Sequence, residues 1–62
     1  NMTKNQIRQH LEQMKEFLEA MKEDKEEAKA IHEEDSDFMI NLDFDILMAS
    51  QTIKDLTNQL NR

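Results

Sequence analysis

The chain has 62 residues, with no cysteine, glycine or proline, and carries 14 acidic against 8 basic side chains, a formal net charge of −6. That length is below the size at which one hydrophobic core comfortably stabilises a domain, and without cysteine neither a disulfide nor a thiolate metal site supplies the difference. There is no basic stripe for phosphate backbones, and the longest apolar runs, Phe38-Met39-Ile40 and Ile46-Leu47-Met48-Ala49, fall far short of the roughly 20 residues that span a bilayer, so neither nucleic acid nor a membrane is an expected partner.

At the start of the chain, Asn1 reads as a residue left ahead of a natural start at Met2, so Asn1-Met2-Thr3 is set aside as a glycosylation site. With no signal-peptide pattern after it, the expected location is cytoplasmic. Thr3 followed by Gln6 fits a capping box, in which hydroxyl and amide side chains satisfy free backbone amides of a first helical turn. From there Ile7, Leu11, Met14, Leu18, Met21, Lys25, Ala28 and His32 recur at alternating spacings of four and three, the period of a coiled-coil-like helix face. The first helix is expected from about Lys4 to about Glu34.

The run Glu33-Glu34-Asp35-Ser36-Asp37 supplies capping side chains and negative charge for the N-terminal end of a second helix, which places a turn at about 34–37. Met39, Leu42, Ile46, Ala49, Ile53, Leu56 and Leu60 then repeat at threes and fours, so the second helix is expected over about 37–61. One stretch competes: Ile40, Leu42, Phe44 and Ile46 alternate with polar residues at a strand period, although the chain offers no partner strand. One continuous helix is the other alternative. An antiparallel hairpin pairs residues whose numbers sum to a near-constant value, and the two stripes do so at 70 or 71, from Ala28 opposite Leu42 to Leu11 opposite Leu60. The expected fold is all-α, one helical-hairpin domain that dimerises into a four-helix bundle.

The dimerisation follows from a second stripe. On a helical wheel, Ile40, Phe44, Leu47 and the polar Gln51, flanked by Met48, lie nearly opposite the stripe that faces the first helix. One helix cannot cover both sides of another, and uncovered apolar stripes mark interaction sites. A second copy is the expected occupant, with a different protein, to which Met48 and the nearby Met39 would supply adaptable contacts, as the alternative. The expected function is a small acidic interaction or regulatory module working through this face.

Charge supports an alternative. Residues 1–22 sum to +1, residues 23–37 to −6 and residues 38–62 to −1. The patch Glu23, Glu26, Glu27, Glu33, Glu34, Asp35 and Asp37 would fit an acidic inhibitor, or nucleic-acid mimic, that blocks a basic surface of a partner protein.

Catalysis has little support. His10 and His32 have no Glu-x-x-His pairing and no second histidine within a turn, so a metal site is not expected and phosphotransfer is a remote alternative. Lys25 interrupts the core stripe and is expected to extend its ammonium outward near Asp43 or Asp45. Carboxylates one turn apart, such as Glu12 and Glu16, lie on a polar face where nothing prepares them for acid–base work. Ser50 and Ser36 lack a base within helical reach. Ser50-Gln51 resembles the first two positions of the Ser-Gln-Glu-Leu-Asp signature of the short helical-hairpin aspartyl-phosphate phosphatases; Thr52, Ile53 and Lys54 follow in place of the remaining three, so the family's functional aspartate is missing. No enzyme activity and no cofactor are expected.

Overall fold

The computed structural model describes residues 1–31 and 37–62. Two helices, α1 (Lys4–Ile31) and α2 (Asp37–Leu60), pack against each other as a hairpin. The 28 residues of α1, at about 1.5 Å each, account for the 42 Å length of the molecule, whose other two extents are 15 and 14 Å. The end of the first helix beyond Ile31 and the turn, with His32, Glu33, Glu34, Asp35 and Ser36, lie outside the described residues.

α1 begins where the capping box predicts. The Thr3 amide donates to Gln6 Oε1 at 2.8 Å and the Gln6 amide donates to Thr3 Oγ1 at 3.1 Å, while the Ile7 amide makes the first helical bond to the Thr3 carbonyl. Charged neighbours three residues apart, Glu12 with Lys15, Glu19 with Lys22 and Glu26 with Lys29, line its solvent side and add a few tenths of a kcal/mol each at most.

α2 contains the whole stretch Ile40–Ile46, which overturns the strand alternative. The three-and-four repeat from Met39 to Leu60 lets one face of a helix bury against α1, whereas a strand there would leave its amides without partners. Ser50, Thr52 and Thr57 donate their hydroxyls to the carbonyls of Ile46, Met48 and Ile53, so even the residues that compete with helical backbone bonding satisfy themselves within this helix. Two packed helices likewise replace the continuous-helix alternative.

The core comprises Ile7, Leu11, Met21 and Ala28 from α1 and Met39, Ala49 and Leu56 from α2. Ile7, Leu11 and Leu56 form a cluster at the open end of the hairpin, against which Met14, Ile53 and Leu60 pack. This corrects the expected register by one turn. Opposite residues summing to 70 or 71 would leave Ile7 facing positions beyond Arg62 and would set Ile31 against Met39. Instead Ile7 is 7% exposed and Ile31 is 78% exposed. Lys25 and Asp43, whose numbers sum to 68, meet at 2.6 Å, and Ala28 shares a shallow groove with Phe38. A sum near 67 sets Ile7 against Leu60, Leu11 against Leu56, Met14 against Ile53 and Ala28 against Met39, and small still faces large in the last of these layers. Both registers match apolar with apolar and leave Lys25 near a carboxylate; this one also gives the first turn of α1 a partner.

Candidate interaction surface

With α1 packed on one side of α2, the opposite side of α2 faces outward. Ile40, Phe44, Leu47 and Met48 are 57, 59, 64 and 50% exposed, although together they offer one branched aliphatic, one aromatic, one leucine and one methionine side chain. Phe44 lies one turn from Ile40 and from Met48, so these side chains adjoin along the helix. Gln51 continues the stripe, exposed, with its amide nitrogen donating to Asp55 Oδ1 at 3.1 Å. The sequence-predicted interface residues are therefore brought together on one outward strip whose own side chains are uncharged, with the exposed Asp43 and Asp45 along its two edges.

The apolar surface is wider than the sequence reading gives. Phe17 of α1 is 53% exposed and borders a shallow groove with Met14, Asp45, Met48, Ala49 and Thr52, so it extends the strip across the gap between the helices at Met48. Phe38, also half exposed, lies apart from the strip, lining a shallow groove with Asp24, Glu27, Ala28 and Ile31 of α1. Phe17 falls outside the three-and-four stripe of α1, directly before Leu18, and that position hid it. Its spacing of seven from His10 and from Asp24, and of fourteen from Ile31, marks a second line on the same helix that alternates polar and apolar residues. Of the eight large apolar side chains left exposed among the described residues, five are on α2: Phe38, Ile40, Phe44, Leu47 and Met48.

The acidic patch divides. Glu23, Glu26, Glu27 and Asp37 are exposed, and Glu26 pairs with Lys29 Nζ at 3.4 Å; Glu33, Glu34 and Asp35 are outside the described residues. Asp37 begins α2, where its charge suits the positive helix end. Among the described residues, no three His, Cys, Asp or Glu side chains approach closely enough to hold a metal ion. Ser50 Oγ is 2.8 Å from the Ile46 carbonyl and donates to it, which turns the hydroxyl back along the helix. His10 is half-buried on α1, beside Leu11. No helix among the described residues is long and apolar enough to cross a membrane.

Lys25 reaches from the core stripe of α1 to Asp43 of α2. The ion pair spans the two helices on the edge of the hairpin, with the lysine side chain about two-thirds covered and the aspartate about half, so solvent screens it and its contribution is at most about 1 kcal/mol. It serves alignment more than stability. Compared with known protein families, curated proteins and solved structures, the chain matches none.

Proposed function

We propose that this protein is a non-enzymatic interaction module that self-associates through the outward face of α2, two hairpins joining into a four-helix assembly with the α2 helices innermost. The observation that carries the reading is the strip Ile40, Phe44, Leu47 and Met48, each at least half exposed on the side of α2 that α1 does not cover. In water such a strip is unfavourable to leave open, at about 25 cal/mol for each Å² of apolar surface. A second copy suits it for two reasons. The hairpin core is small for a free-standing domain, so partner-supplied burial answers a need of the chain itself. The strip's own side chains are also uncharged, with Asp43 and Asp45 at its edges, so two copies can meet there without placing like charges at the centre of the contact.

Thermal melting tests this. A folded state coupled to association melts at a temperature that rises with protein concentration, whereas a free-standing hairpin melts at a constant one. The melt is expected to shift upward over a hundredfold concentration series, and the shift is expected to vanish in Phe44→Asp, where an unpaired charge would be forced into the contact. A concentration-independent melt of the unaltered chain overturns the proposal.

A further inference from the structure

The two flanks of the hairpin, where α1 and α2 meet edge to edge, differ in chemistry. On one flank Arg8, Lys15, Lys22 and Lys29 recur every seven residues along α1, and Lys25 crosses to Asp43. On the other, the lines at the same spacing are Phe17, Asp24 and Ile31 on α1 and Phe38, Asp45 and Thr52 on α2, with no lysine or arginine in either. A step of seven residues returns to nearly the same side of a helix, so the two shallow grooves along these lines belong to one crevice. Asp45 borders the groove that Phe17 shares with Met48, and Asp24 and Glu27 border the one that Ile31 shares with Phe38. Each groove also contains a buried alanine, Ala49 in the first and Ala28 in the second, whose small side chain leaves room for one from outside.

We propose that this crevice seats a helix of a different protein, apolar along one face and bearing lysine or arginine at the edges of that face. Apolar walls repeating every seven residues match the anchors of an amphipathic helix laid into a groove. Phe17, Ile31 and Phe38 are all at least half exposed, and a third helix packed between α1 and α2 covers them together. Charge selects the occupant. Asp24, Glu27 and Asp45 are exposed, and among the described residues no lysine or arginine pairs with any of them. Two copies of this chain joined crevice to crevice would set these carboxylates against the same three, whereas a basic edge meets each with an opposite charge. From Met14 to Ile31 the crevice runs 17 residues along α1, about 26 Å, so a partner helix of about that length fills it. The crevice touches the strip of α2 only at Met48, so this reading goes beyond the self-association proposed above and does not depend on it.

The probe is a synthetic helical peptide of about three heptads, with leucine at the two apolar positions of each heptad and lysine at the positions beside them; its counterpart has glutamate in place of lysine. Fluorescence anisotropy of each labelled peptide against the full chain is expected to show one lysine peptide bound per chain and no binding of the glutamate peptide. Asp24→Asn, Glu27→Gln and Asp45→Asn combined are expected to weaken binding about tenfold, from about twofold for each exposed charge contact. Glu12→Gln, Glu16→Gln and Glu23→Gln combined make an equal charge change at exposed positions of α1 outside the crevice and are expected to weaken it less than about twofold. Phe17→Ala with Ile31→Ala is expected to weaken binding by about tenfold or more at unchanged helicity, and Leu47→Ala, on the strip but outside the crevice, is expected to leave it unchanged. No binding of the lysine peptide, equal weakening by the two sets of neutral variants, or a loss in Leu47→Ala as large as in the Phe17 and Ile31 pair overturns the crevice as the seat. Sedimentation of the chain without peptide reads self-association separately: a two-chain mass with no peptide binding overturns the crevice alone, and a one-chain mass that binds the peptide overturns self-association alone. A series of masses beyond two chains that the crevice variants abolish makes a further copy the occupant and overturns the foreign partner.

Discussion

Replacing Ile7 with alanine tests the register of the hairpin, because the two alignments open to the stripes treat this residue oppositely. Ile7 is 7% exposed and clusters with Leu11 and Leu56 at the open end. Truncating a buried isoleucine to alanine costs about 2–5 kcal/mol, and a site in the first turn of a helix, where neighbours can close over the gap, falls near the low end, about 2 kcal/mol. Ile31 provides the comparison. At 78% exposed it lies where the alternative alignment would bury it against Met39, and in the observed one Ile31→Ala costs less than about 0.5 kcal/mol. Urea titrations followed by far-ultraviolet circular dichroism, at one protein concentration for both variants and the parent, separate the two. A larger loss from Ile31→Ala than from Ile7→Ala would refute the register and the core built on it.

Three further outcomes follow from the same structure. Phe17→Asp is expected to leave helicity unchanged and to weaken self-association, because Phe17 joins the exposed strip through Met48; unchanged association in sedimentation experiments would confine the contact to α2. Thr3→Ala removes the hydroxyl that accepts from the Gln6 amide and is expected to cost about 1 kcal/mol in urea titrations, with Thr3→Ser close to the parent; equal losses in both would show that the capping hydroxyl is not the cause. Asp43→Asn is expected to cost less than about 1 kcal/mol, since Asp43 is 53% exposed, and that cost should shrink in 1 M salt, a Debye length of about 3 Å; a loss insensitive to salt would show that packing, not charge, holds the pair.

The helices and their faces are legible in the sequence because each rests on local chemistry. The Thr3–Gln6 box fixes one end of α1, the three-and-four spacings fix both buried stripes, and Ile40, Phe44, Leu47 and Met48 are left over once those stripes are assigned. Register is not local. A three-and-four repeat matches itself after a shift of one turn, so Leu11 finds an apolar residue whether it faces Leu60 or Leu56; the choice depends on the burial of Ile7 at one end against Ile31 at the other, which spacing alone does not weigh. Phe17 was hidden for a related reason. It belongs to neither stripe, and its contribution arises only when the two helices come together and bring it beside Met48.

Sedimentation equilibrium of the unaltered chain beside Phe44→Asp addresses the central claim most directly. Phe44 is 59% exposed in the hairpin, so charge at this position leaves the layers from Ile7–Leu60 to Ala28–Met39 intact and acts on whatever covers the outward face of α2. The unaltered chain is expected at twice its 7.4 kDa mass and the variant at 7.4 kDa, with equal helicity in the two. An unaltered chain at 7.4 kDa across the concentration range, or a variant that associates as tightly as the parent, would contradict the account.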